Sequence, residues 1–83
     1  MGADRVDLHG LTKDGARLII DNFVIPILPE MPDPFYLITG RGAHNPRGHA
    51  VLRHAVEVHL TRRRIGFERV PGNSGLLRVH VHR

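Results

Sequence analysis

Two short runs that each end in glycine constrain the fold of this 83-residue chain more than any other feature. The first is Val6-Asp7-Leu8-His9-Gly10, and the second closes an apolar segment with Thr39-Gly40-Arg41-Gly42. Successive side chains of a strand point to opposite faces, so Asp7 and His9 share one surface, away from Val6 and Leu8. A glycine loop between a strand and a helix brings backbone N–H groups to a phosphate. The two runs therefore predict two strands whose ends serve nucleic-acid chemistry.

Hydrophobic periodicity predicts the elements of the first half. We expect a first strand over 5–9, a helix that follows an N-cap at Thr12, and a central strand over 35–39 that is buried on both faces. Pro26 should end or kink the helix because it lacks the N–H that an α-helix needs. The spacing of the apolar residues predicts one buried stripe, made of Ala16, Ile19, Ile20, Phe23, Val24 and Ile27.

The second half is predicted to add one helix and two strands. Asn45-Pro46 supplies an N-cap and a first-turn proline for a helix that runs to about Arg63. A third strand is expected over 65–70, a turn over 71–75 and a fourth strand over 76–82. The helix should bury Leu52, Ala55, Val56 and Leu60, and the fourth strand should turn Leu77, Val79 and Val81 toward the helices and Arg78, His80 and His82 away from them.

The order βαβαββ predicts the fold class. It is an α/β fold, a two-layer sandwich in which a mixed four-stranded sheet carries both helices on one face. The chain has the length of one domain, spanning 1–83. It lacks cysteine, which excludes a disulfide framework and a thiolate zinc site and fits a cytoplasmic protein. No apolar run approaches the roughly 20 residues that span a bilayer, so we expect no membrane partner.

Charge is distributed unevenly along the chain. Residues 1–40 carry three basic and six acidic side chains, whereas residues 41–83 carry nine arginines and two glutamates. A bias of this kind favours a polyanionic partner such as nucleic acid. The alternative is a solvated basic surface without a specific partner.

The motifs, in this order and spacing, resemble those of the small MutS-related (Smr) domain from Arg5 to the C-terminus. Val6-Asp7-Leu8-His9-Gly10 is similar to the family's Leu-Asp-x-His signature, and Thr39-Gly40-Arg41-Gly42 to its His/Thr-Gly-x-Gly loop. The family pattern is also matched by the residues at 42–45, by those at 50–53 and by the glycine-rich turn before the last strand. Val6 in place of leucine and a short turn at 72–75 depart from the family pattern. The resemblance implies a fold like the C-terminal domain of bacterial translation initiation factor three.

The resemblance also implies a function, namely endonucleolytic cleavage of RNA or nicking of DNA, in ribosome quality control or DNA repair, by a domain that belongs to a longer protein. Carried over by position, the catalytic residues are Asp7, His9 and Arg41. His9 would act as general base or acid, Asp7 would orient it, and Arg41 would hold a phosphate. Nucleic-acid contacts are expected from Gly40, Gly42, His44, Arg47, Arg53, Arg78 and His80.

Three alternatives stay open at this stage. Asp7 and His9 could be a strand-end cap and a surface imidazole, and the domain could bind nucleic acid or the ribosome without cleaving, or bind only protein. Histidines recur at 44, 49, 54 and 59, but a five-residue step turns neighbours by about 140° on a helix, so they cannot share one metal. We expect them to be solvated histidines on the helix surface. Two glutamates in the basic half are too few for a two-metal site. We therefore expect a metal-independent, cofactor-free monomer.

Overall fold

The computed structural model describes residues 4–40 and 46–81, without the side chains of 46–50. This part of the chain forms a mixed four-stranded sheet with helices on one face. The strands are β1 (Asp4–Asp7), β2 (Phe35–Ile38), β3 (Phe67–Val70) and β4 (Asn73–Val79), in the order β1-β2-β4-β3. Strand β2 runs parallel to β1, and β4 is antiparallel to both β2 and β3. The predicted βαβαββ order and the central place of the second strand are confirmed.

The first helical segment changes its hydrogen-bonding pattern along its length. It begins as α1 (Lys13–Ile19), where the Thr12 hydroxyl accepts the Gly15 N–H at 3.0 Å as the predicted N-cap. It continues through a π-helical turn (Ile20–Val24), α2 (Ile25–Ile27) and a 3₁₀ turn (Leu28–Glu30). Pro26 lies in the first turn of α2, where a missing N–H costs little. The expected interruption at Pro26 thus takes the form of a π turn before it.

This π turn changes which side chains are buried. The buried residues are Ala16, Ile20, Val24 and Leu28, spaced four residues apart. An α-helix needs 3.6 residues per turn, so a strict spacing of four drifts around it, and the wider π turn absorbs the drift. The predicted burial of Phe23 and Ile27 is therefore wrong, since they are 62% and 38% exposed.

The second helix, α3 (Pro46–Arg62), matches its prediction closely. Its expected inward residues Leu52, Ala55, Val56 and Leu60 are all buried. Leu52, Val56 and Leu60 pack with residues of the first helical segment and of the sheet in one core cluster, which includes Leu8, Ile20, Phe35, Leu37, Leu77 and Val79. Both helices therefore cover the same face of the sheet. None of the helices within the described ranges is long and apolar enough to cross a bilayer.

The exposure of β2 and the limits of the last hairpin differ from the sequence expectations. Strand β2 alternates between buried and half-buried residues, so burial on both faces is wrong, because helices cover only one face. The loop between β3 and β4 is not the predicted five residues but Pro71-Gly72, with Val70 paired to Asn73 across it. Gly72 has φ +79°, which fits a tight turn with proline before glycine.

Candidate active site

His9 lies in a tight turn at the carboxyl end of β1. Leu8 donates its N–H to the Ile38 carbonyl at 2.7 Å, and Leu11 donates to the Leu8 carbonyl at 3.2 Å, which closes a four-residue turn. Gly10 follows His9 with φ +80°, the value that the third residue of a type II turn requires. Leu8 is fully buried. The turn is thus anchored by Leu8 and the sheet, and it projects His9 outward.

Asp7 and His9 form a hydrogen-bonded pair, although the strand predicted to run through His9 ends at Asp7 and His9 lies in the turn that follows. Asp7 Oδ1 lies 2.6 Å from His9 Nδ1 and also accepts the His9 backbone N–H at 3.0 Å. These two bonds hold the pKa of Asp7 below its ordinary value, so this carboxyl is ionised at neutral pH. In the neutral ring, a carboxylate on Nδ1 favours the tautomer that carries its proton on Nδ1 and its lone pair on Nε2. The side chains of Asp7 and His9 are 51% and 66% exposed, so substrate can reach them.

Gly40 brings the second motif against the first. It has φ +89°, and a Cβ built on it would lie 2.9 Å from the Cβ of His9. The contact follows from topology, because β1 and β2 are parallel and Asp7 is in register with Ile38. Any larger residue at position 40 would displace the base of the His9 side chain. Gly40 therefore makes room for His9 at the edge where the carboxyl ends of β1 and β2 meet.

The Gly75 carbonyl fixes the start of the glycine loop. It accepts the backbone N–H of Thr39 at 2.8 Å and of Gly40 at 3.3 Å, with the Thr39 hydroxyl at 3.4 Å. Asn73 Oδ1 in turn accepts the Gly75 N–H at 3.1 Å, and Arg53 donates to the neighbouring Ser74 carbonyl at 3.3 Å. The Gly40 N–H is therefore engaged within the protein. A phosphate at this loop would have to be held by residues after Gly40.

Sequence reasoning missed this role of the 73–75 segment, because it treated those residues as a turn. The only signal was their composition, since asparagine accepts a hydrogen bond from the backbone two residues ahead of it. Thr39, which the motif includes, is 2% exposed and serves the same anchoring contact. The segment holds Thr39 and Gly40, the start of the glycine loop, beside His9.

The remaining predicted site residues do not all gather at this edge. Arg41, Gly42 and His44 lie outside the described residues, as does the predicted N-cap Asn45, and the side chain of Arg47 is not described. Arg78 donates to Asp33 at 3.0 Å and to Glu68 at 3.4 Å, and it pairs in register with Tyr36. His80 follows β4 and packs over Gly66. Because β4 is antiparallel to β2, Arg78 and His80 lie toward the opposite end of the sheet from His9.

Several arginines of the basic half neutralise acidic groups within the chain. Arg63 binds Asp21 with two hydrogen bonds at 3.0 and 3.1 Å, and Arg69 binds Glu57 at 2.7 and 3.0 Å. His59 also contacts Asp21, at 2.8 Å, and is only 7% exposed, so its expected place as a solvated helix histidine is wrong. The charge asymmetry of the sequence thus partly reflects internal ion pairs. Among the described residues, no three His, Asp or Glu side chains lie close enough to hold a metal ion.

Comparison with known proteins identifies the family. The family model described as Smr domain matches residues 6–82. The solution structure of the B3BP Smr domain is similar, with a TM-score of 0.77 and 27% identity over 95% of this chain and 78% of that one. The solution structure of the SMR domain of NEDD4-binding protein 2 has a TM-score of 0.75 and 27% identity over 100% of this chain and 90% of that one. No curated protein sequence matches.

The fold and the two motifs define a small α/β domain with a histidine and aspartate pair at the carboxyl edge of parallel strands. The chain belongs to the Smr domain family, which is associated with nuclease activity and nucleic-acid binding. The resemblance noted from the sequence is thereby confirmed.

Proposed function

We propose that this chain is a metal-independent endonuclease and that RNA is the substrate its chemistry suits best. The observation that carries the proposal is the exposed pair of Asp7 and His9, joined at 2.6 Å and packed against Gly40. An ionised Asp7 on Nδ1 orients the ring and stabilises the charge that His9 gains when Nε2 accepts a proton. The bond from Asp7 to Nδ1 supports a role for His9 as general base, in addition to the bond by which Asp7 caps the His9 backbone N–H.

RNA fits this arrangement because it carries its own nucleophile. His9 Nε2 removes the proton of a 2′-hydroxyl, the 2′-oxygen attacks the adjacent phosphorus, and the bond to the 5′-oxygen breaks. Water protonates the leaving 5′-oxygen. Arg41 and the loop amides after Gly40 stabilise the charge that develops on the phosphate. DNA has no 2′-hydroxyl, so nicking of DNA would require an activated water as nucleophile.

Substitution of the pair separates catalysis from binding. We expect Asp7→Asn and His9→Ala to keep the fold and the affinity for RNA, because both side chains lie outside the core, while single-turnover cleavage falls by roughly 10² or more. Asp14→Asn is a matched control, since Asp14 is an exposed carboxylate whose hydrogen-bond donor, at 2.7 Å, is Arg17 and not His9. Equal cleavage by all three variants would refute the assignment. RNA binding without cleavage by the parent protein would instead favour a non-catalytic binding module.

A further inference from the structure

A groove of about 460 Å³ lies between α1 and α3, on the outer side of the helix layer, and the proposed nuclease mechanism does not use it. Its wall on α3 follows a single helical stripe of Val51, His54, Ala55, Val58 and Arg62. Its wall on α1 consists of Lys13 and Arg17, one turn apart. From Val51 to Arg62 the stripe extends for about 16 Å, which is three turns of a helix.

The floor of the groove is aliphatic and open to solvent. Val51 is 50% exposed, and Val58 is half-buried beside it. Ala55 lies between these two valines on the stripe, and its small side chain lets another helix approach closely. Single-stranded nucleic acids are held by basic side chains that follow the phosphates, together with aromatic rings on which the bases stack. Basic side chains line the margins of this groove, but its floor is aliphatic, and His54 is the only ring among the described lining residues.

The charges at the margins of the groove are positive. Within residues 4–40 and 46–81, Lys13 and Arg62 have no ion-pair partner, while Arg17 is bound by Asp14 at 2.7 Å. Both helices leave the same edge of the sheet, so they run in the same direction. Lys13, the first residue of α1, therefore lies near one end of the groove, and Arg62, the last of α3, near the other. Carboxylates on an occupant could pair with both.

We propose that this groove binds an amphipathic helix of a partner protein, with aliphatic side chains on one face and Asp or Glu along its margins. The aliphatic floor takes the apolar face, as in other complexes in which a helix lies in a groove. Lys13 and Arg62 select acidic over basic helices. The proposal is independent of the nuclease function, since the groove and the Asp7–His9 pair share no residue.

Titration of the ¹⁵N-labelled 83-residue chain tests this proposal. The probe is an 18-residue helical peptide with leucines at i, i+4, i+7 and i+11 and glutamates beside them. We expect saturable shifts of the Val51, Ala55 and Val58 amide signals. Arg62→Glu should raise the Kd for the peptide about fivefold or more, since exposed ion pairs each contribute up to about 1 kcal/mol. Arg5→Glu, an exposed arginine on β1, should leave the Kd unchanged.

Three results would overturn the proposal. The first is the absence of saturable shifts with the leucine and glutamate peptide. The second is equal binding by a peptide in which lysine replaces every glutamate, which would indicate apolar contact without charge selection. The third is movement of the same groove signals by a single-stranded RNA oligonucleotide, which would make the groove part of a nucleic-acid surface.

Discussion

Replacement of Gly40 by alanine tests how the two motifs cooperate. The backbone at Gly40 has φ +89°, and its new Cβ would lie 2.9 Å from the Cβ of His9. A positive φ costs an L-residue about 1 to 2 kcal/mol, and overpacking typically adds about 1 to 3 kcal/mol. The atom contacted is the base of the His9 side chain and not a flexible tip, so the ring or the backbone must move. A displacement of about 1 Å at a catalytic group lowers a rate on the order of 10²-fold.

Gly72→Ala is the matched control for this substitution. Gly72 has φ +79°, and nothing lies within 4 Å of a Cβ built there. Gly72→Ala should therefore carry only the cost of the positive φ, which lowers the free energy of unfolding by about 1 to 2 kcal/mol. In a domain of this size, each kcal/mol lowers Tm by about 4–8 °C. Urea unfolding and single-turnover RNA cleavage are measured for both variants. If Gly40→Ala and Gly72→Ala had equal unfolding free energies and equal cleavage rates, the claim that Gly40 positions His9 would be refuted.

Three further predictions concern the loop, the ion pairs and the nucleic-acid surface. Arg41→Ala should lower turnover at saturating RNA by an amount equivalent to about 2 to 4 kcal/mol with affinity retained, whereas weaker binding with unchanged turnover would assign Arg41 to binding alone. Arg69 holds the pKa of Glu57 below its ordinary value, so this pair stabilises the fold above pH 4.5 and the effect is lost as pH falls through the lowered pKa. Glu57→Gln should thus cost about 1 kcal/mol in urea unfolding at pH 7 and progressively less as the pH falls through the lowered pKa, and a cost that does not change with pH would contradict this. RNA affinity should fall steeply with salt by fluorescence anisotropy, and a salt-independent Kd would exclude phosphate contacts.

The sequence allowed the sheet and the helices to be predicted, because they depend on local hydrophobic periodicity. The Asp7–His9 pair was also predicted because its members are two residues apart, although a turn and not the expected strand brings them together. The close contact between His9 and Gly40 could not be predicted, since it depends on the register of β1 against β2. The burial of His59 against Asp21 joins residues 38 apart, and helical periodicity alone gives no sign of it. The π turn was missed because a spacing of four residues also fits part of an α-helical stripe.

The extent of the last hairpin was missed for a different reason. Asn73, Ser74 and Gly75 are typical turn residues, yet they begin β4 here. Their local preference is overridden by the pairing of Asn73 with Val70 and by the bonds from Thr39 and Gly40 to the Gly75 carbonyl. The strand preference of a residue depends on such tertiary contacts as well as on its type.

The central claim is that His9 is the general base of a metal-independent RNA cleavage. Its most direct test is cleavage of an end-labelled RNA in EDTA, with analysis of the product ends. We predict 2′,3′-cyclic phosphate and 5′-hydroxyl ends, formed by the parent protein and by Asp14→Asn, and lost in His9→Ala. Products with 5′-phosphate ends, cleavage that requires Mg²⁺, or unchanged cleavage by His9→Ala would contradict the mechanism.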